Sequence, residues 1–390
     1  MWDCNLPHEL IVEILKRLPA KSLLRFRCVR KSWSSLITSP VFIASYNNLN
    51  STNPSTSNTQ ILLRNYSETL HKEIYTLHHD NTTFDIHTEL EFPFTSFNPY
   101  FRLVGSCNGL ICLADTLFTH KNKVILWNPS VRKFLNLPSP SIQYEREWLF
   151  KSVFGFGFDC KKKDYKVVRI AIGGLSINIR PRAEVFELST GAWRAIDAVV
   201  PPYEMHHCWL QANLNGSVHW LVFNPSQNGG FCSLIVAFDV SDEVFREILL
   251  PLSLANEHLV DLSITVCGNC LALCHYYQVT NRRACTIWVL KEYGVGTWYK
   301  MFTIDLQQGV LVALSFRGNG EVLLATGGEE LVYYSPKKKQ VTHLGIRGSL
   351  QPLEFYTGSF YLDTYVQSLV FLDRVNGVSD SEAALLSLDE

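Results

Sequence analysis

Hydrophobic positions follow one period over the first 44 residues and another beyond them. From Pro7 to Leu18 the apolar residues Leu10, Ile11, Ile14, Leu15 and Leu18 recur at helical spacing along one face. Asn5 is a candidate N-cap, Pro7 suits the first turn, Glu9 and Glu13 lie toward the positive end of the dipole, and Pro19 stops the run. A second short helix is predicted over Lys21–Val29, with Leu23, Leu24, Phe26 and Val29 apolar. A third, Lys31–Ile37, carries Trp33, Leu36 and Ile37 and ends before Pro40. Three helices of this size cannot bury a sufficient core alone, so their apolar surplus needs a partner.

Residues 45–60 hold 14 Ser, Thr, Asn, Pro or Gln among 16, which predicts a linker or exposed loop. Beyond them the chain repeats. Tyr75, Trp127, Phe186, Phe238, Trp288 and Tyr333 occupy equivalent strand positions, spaced by 52, 59, 52, 50 and 45 residues. Units of about 50 residues have the spacing of propeller blades. The stretch 207–251 divides into four strands separated by turn residues such as Asn215-Gly216-Ser217, and the same division fits 100–137, 150–197, 260–304 and 309–346. Residues 60–92 supply strands for a sixth blade, and Leu353–Leu372 could add its missing strand and close the ring. The expected fold is a small all-α head followed by an all-β propeller of six four-stranded blades; another blade number or an open sandwich is the alternative.

Composition narrows the function. The 390 residues carry 35 Lys and Arg against 36 Asp and Glu, a net charge of −1, which argues against a protein that coats nucleic acid. The sequence shows neither a basic-then-apolar leader nor an apolar run near the ~18 residues of a membrane helix, so a location in cytoplasm or nucleus is expected. Eleven cysteines in such a compartment are expected to be mostly buried thiols. Residues 1–40 hold seven basic side chains against three acidic ones, a local +4 that leaves −5 for the rest. That basic head could steer an acidic partner; nucleic acid and a simple solvated face are the other readings. The stretch 373–390 reads as an acidic tail.

Leu6-Pro7-His8-Glu9-Leu10-Ile11, continuing to Pro19, then Lys21–Val29 and Lys31–Ile37, closely resembles an F-box. Further matches at Gly105-Ser106-Cys107-Asn108-Gly109-Leu110-Ile111-Cys112, Trp127-Asn128-Pro129-Ser130, Gly155-Phe156-Gly157-Phe158-Asp159 and Asn215-Gly216-Ser217-Val218-His219-Trp220 resemble plant F-box proteins with a type 1 F-box-associated, kelch-like region. The resemblance implies an F-box at 1–44 and a propeller at 61–372. It also implies a non-catalytic substrate receptor of an SCF ubiquitin ligase, joined through a Skp adaptor to cullin and RING subunits and presenting an unknown target protein. Positions matching the adaptor-facing pattern are Leu6, Pro7, Ile14, Leu15, Pro19, Leu23, Cys28, Val29 and Trp33; spacing alone does not separate them from internal core.

In a four-stranded blade, the connections between strands two and three and those to the next blade share one face, the expected target surface. Its candidates are Tyr144, Arg146, Trp148, Arg180, Arg182, Tyr203, His206, His207, Arg282 and Arg283, because Tyr, Trp and Arg dominate interface energy. Cys267-Gly268-Asn269-Cys270 with Cys274-His275 resembles zinc spacing, yet it falls across a strand, a turn and a strand, so strand thiols explain it better. No cofactor, metal or catalytic residue is assigned. A propeller enzyme with a helical head, or a scaffold whose F-box does not serve degradation, remains an alternative.

Overall fold

The computed structural model describes residues 6–52, 60–67, 69–81, 83–94, 101–115, 123–142, 150–173, 180–205, 211–225, 231–279, 282–293, 296–306, 310–327, 330–348 and 360–372. The head begins as its spacing predicts, with α1 His8–Lys16, α2 Ala20–Phe26 and α3 Lys31–Ile37. A fourth helix, α4 Pro40–Thr52, then runs through the segment expected to be linker. Its Phe42, Tyr46 and Asn50 lie four residues apart and are all buried, the first two among Leu15, Ala20, Leu23 and Ile37. Pro40 thus opens a helix, where its missing N–H costs nothing. A buried stripe outweighs the weak intrinsic preference of Ser, Thr and Asn.

The remainder is a ring of six antiparallel sheets. The first blade combines β1 Gln60–Ser67, β2 Lys72–His79 and β3 Ile86–Leu90 with the last strand, β25 Tyr361–Tyr365, in the order β25-β1-β2-β3. The second holds β4 Arg102–Cys107, β5 Leu110–Asp115, β6 Lys123–Asn128 and β7 Lys133–Asn136; the third, β8 Phe150–Asp159, β9 Asp164–Gly173, β10 Arg182–Glu187 and β11 Ala192–Ala195. In the fourth, two short pieces, β12 Glu204–Met205 and β13 Ala212–Leu214, share one edge of β14 Ser217–Pro225, which continues to β15 Phe231–Asp239 and β16 Val244–Leu249. The fifth has β17 Leu262–Cys267, β18 Cys270–Val279, β19 Arg282–Glu292 and β20 Thr297–Asp305, and the sixth β21 Val310–Phe316, β22 Val322–Thr326, β23 Glu330–Ser335 and β24 Gln340–Arg347.

Each recurrent aromatic lies on the third strand of its blade, and Tyr75, Trp127, Phe186 and Phe238 are buried there. Middle strands are apolar on both faces, as Leu110-Ile111-Cys112-Leu113-Ala114 shows, because each blade packs between two others. One apolar cluster fills each of the six blade-to-blade interfaces, including the one between the sixth blade and the first. Pairing of Gln60 with Tyr365 completes the ring. The closing strand is shorter than the 353–372 expected for it: pairing ends at Tyr365, and 366–372 continue as a strap outside the sheet.

Candidate functional site

Two faces of α1 have opposite fates. Leu15 is 2% exposed and packs with Leu23, Ile37, Phe42 and Tyr46, whereas Leu6, Leu10 and Ile14 are 53%, 50% and 51% exposed. Leu10 and Ile14, four residues apart on α1, lie on one solvent-facing side of the helix, and Leu6 precedes its N-cap Pro7. Pro7, Pro19, Cys28 and Val29 are exposed as well. Of the nine expected adaptor contacts, Leu15 and Leu23 are therefore corrected to core positions, their side chains enclosed by α4. Leu10 belongs with the exposed set, and its spacing of four from Ile14 on α1 is the signal that could have found it. Trp33 is half-buried, packed edge-on against Phe26 at 5.4 Å, with the Arg30 guanidinium 5.3 Å from its ring. Glu13 accepts from Lys16 at 2.9 Å and Arg17 at 2.8 Å, which holds its carboxyl below the usual range.

The head sits on the strap and on the turns of the second blade. Ala20 N donates to Gln367 Oε1 (3.0 Å), Leu369 N donates to Asn47 Oδ1 (3.4 Å), and Leu369 and Val131 join the core of the head. Arg27 lies over the Phe371 ring at 4.4 Å. Asn128 secures the strap from below: its Nδ2 donates to Ser368 O (3.2 Å) and Val370 O (3.0 Å), and its Oδ1 accepts from Ser130 N (3.0 Å). The Ser130 and Tyr365 hydroxyls are 2.7 Å apart. Gly109, at φ +79°, leaves the space that the Ser368 side chain and Val366 carbonyl occupy, so a Cβ there would collide with both. A cleft of about 930 Å³ remains between α2 and the first two blades, lined by Pro19, Leu24, Cys28, Trp127 and Phe134.

Asn108-Gly109 and Pro129–Arg132 are the one–two and three–four turns of the second blade, so the head occupies the turn face. By strand alternation, Arg180, Arg182, Arg282 and Arg283 stand on the opposite face, exposed at or beside the start of a third strand in the third and fifth blades. Tyr203 is half-buried and donates to Glu247 at 2.7 Å, so its hydroxyl is already engaged. Tyr144, Arg146, Trp148, His206 and His207 lie outside the described residues. Cys267 and Cys270 face each other across the Gly268 turn, and burial pushes the Cys267 thiol up to about 11. Among the described residues no group of three or more His, Cys, Asp or Glu is placed to hold a metal ion.

Residues 4–44 match the F-box domain model, and residues 58–372 match the F-box associated beta propeller domain. This chain belongs to the F-box proteins with an associated β-propeller. Among its curated relatives in Arabidopsis thaliana, F-box protein At3g07870 is 30% identical over 85% of each chain. F-box protein CPR1 is 28% identical over 88% of this chain and 85% of its own. F-box/kelch-repeat protein At3g23880 is 26% identical over 80% and 86%.

Six residues in the motifs outside the head, Gly109, Asn128, Gly155, Asp159, His219 and Trp220, hold the fold together. Asn128 and Gly109 seat the strap. Gly155 lets the Trp220 ring approach, since a Cβ there would be 2.5 Å from it, while Trp220 Nε1 donates to Phe154 O at 3.3 Å. His219 donates from Nδ1 to Ala212 O (2.9 Å) and meets the Tyr293 hydroxyl with Nε2; burial holds it neutral, with its pKa down at about 4. Asp159, at the end of the Gly155–Asp159 motif, caps its own turn by accepting from Lys161 N (2.9 Å) and Lys162 N (3.0 Å) and pairs with buried Lys166 at 2.7 Å.

Proposed function

We propose that this F-box protein is the substrate-recognition subunit of an SCF-type ubiquitin ligase, binding a Skp adaptor through its head and a target protein through the propeller face opposite it. The observation that carries the first half is the exposed apolar set Leu6, Pro7, Leu10 and Ile14, the last two on a helix that turns Leu15 into the core of the head. Apolar sets of this kind in water are unfavourable unless a partner covers them, and a few desolvated apolar anchors dominate the energy of an interface of about 1,600 Å². Cullin and RING subunits would be recruited through the adaptor, and transfer of ubiquitin would be their chemistry. Placing the head on the turn face leaves the other face, with Arg180, Arg182, Arg282 and Arg283, open to a target.

The test is co-purification of adaptor and cullin with the full chain and with a Leu10→Glu, Ile14→Glu variant. Both positions are half-exposed, so the fold should survive. Each anchor lost should cost about 2 kcal/mol, and the pair about 1,000-fold in adaptor affinity if the two add. Adaptor capture unchanged by the double substitution, in a protein with native thermal unfolding, rejects the assignment.

A further inference from the structure

Where the innermost strands of the blades face the ring axis, no further sheet covers them, and a cavity of about 750 Å³ is left. It opens on the turn face, because Asp80, Asn81, Gly268, Gly318 and Gly320 form its mouth. The cation at that mouth is already engaged: Arg317 donates from Nε to Asp80 Oδ1 (2.7 Å) and from Nη1 to Glu321 Oε2 (2.8 Å). Asp363, farther along β25, is different. It accepts only from uncharged donors, Ser106 N (3.2 Å), the Tyr361 hydroxyl (3.0 Å) and Thr364 N (2.8 Å), and no cationic side chain pairs with it among the described residues.

A second acceptor lies beside the same strand. Gln211 donates from Nε2 to Asn213 Oδ1 (3.4 Å), but its Oε1 is buried without any hydrogen-bond partner among the described residues. The amide can lie there because residue 105 is glycine; a Cβ would come within 2.5 Å of Gln211 Nε2. Gly105 makes room for Gln211, and the adjacent Ser106 N–H holds Asp363. An unpaired carboxylate and an unpaired amide oxygen therefore flank two consecutive residues of β4. A buried acceptor without a donor, and a carboxylate without a cation, both favour a ligand that supplies N–H groups and positive charge. Ile264, Val266, Leu314, Phe316 and Leu362 provide apolar wall for an alkyl stem.

We propose that the channel of this propeller is a binding site for a small organic ammonium ion, its charged N–H group on Asp363 and a further N–H on Gln211 Oε1. This goes beyond the ligase reading and does not depend on it. The probe is 1,4-diaminobutane, titrated calorimetrically into the full-length protein, with 1,4-butanediol as the uncharged analogue and tetramethylammonium as the cation without N–H donors. Saturable 1:1 binding of the diamine is expected, at least about tenfold weaker in Asp363→Asn and about threefold weaker in Gln211→Leu, with neither control competing. Gln211→Leu alters a side chain that lacks a second partner, so it keeps the test open if Asp363→Asn misfolds. Absence of saturation up to about 10 mM, equal binding of the diol or of tetramethylammonium, or affinity unchanged in both variants overturns the proposal.

Discussion

Asn128→Ala should loosen the strap that carries the head. In the native protein its side chain is fully buried and makes three hydrogen bonds, two donated to Ser368 O and Val370 O and one accepted from Ser130 N. Truncation leaves two strap carbonyls and one turn N–H without this partner. Each unsatisfied buried group costs roughly 1–3 kcal/mol, and partial access of water to the strap favours the low end, so about 3 kcal/mol is expected in total. Asn128→Asp is a sharper probe. It keeps the acceptor for Ser130 N but replaces the donor by a carboxylate facing two carbonyl oxygens, so it should destabilise at least as much as alanine despite its near-identical shape. Urea unfolding followed by tryptophan fluorescence gives the stability, and limited proteolysis reports release of residues 366–372. If the stability of the aspartate variant is within about 0.5 kcal/mol of wild type, the Asn128 hydrogen bonds do not hold the strap.

Other expectations concern the buried charges. Lys166, 1% exposed, pairs with Asp159 and Glu243 at 2.7 Å each; Lys166→Met leaves Asp159 buried without a cation, while Glu243 keeps Arg194, and should cost about 3 kcal/mol in the same urea assay. In Asp159, hydrogen bonds and charge from Lys166 outweigh the upward pull of burial, and in Glu187 the Arg194 hydrogen bond leads; both carboxyls are held at about 2. Their stabilisation is complete above the ordinary carboxyl range near pH 4 and is lost as pH falls toward 2, which a urea midpoint measured from pH 5 to pH 2 should follow. Asp363 has the opposite sign, since burial raises it to about 6: the folded state holds its proton longer than the unfolded one, so stability declines as pH rises from about 4 to 6, and Asp363→Asn should remove that decline from the midpoint profile.

The helical head and the ring were legible in the sequence because both rest on local periodicity and on recurrence. Leu10, Ile11, Ile14 and Leu15 mark a helix, and an aromatic every 45–59 residues marks a blade, without knowledge of what each touches. What was not legible depends on distant partners. Which half of the α1 apolar set turns inward is decided by Phe42 and Tyr46 on α4, in a segment whose composition resembles a loop, and by Leu369 at the far end of the chain. Asn128 and Gly109 could be recognised as recurrent family residues, but their task appears only when residues 366–372 are laid across them. Tyr203 stands out in the sequence as an aromatic on the connection face, but its hydrogen bond to Glu247 depends on a residue 44 positions away. For Gln211 and Asp363 no sequence pattern pointed to the channel, since each becomes unusual through what fails to meet it.

The strap also sets an order of events during synthesis. The head leaves the ribosome first, yet its underside is completed by Gln367, Leu369 and Phe371, and the bond from Ala20 to Gln367 spans 347 residues. Long-range closures of this kind come late in folding. A chain halted anywhere before residue 360 would lack both the inner strand of the first blade and the seat of the head, so seating of the head reports that all six blades have been made.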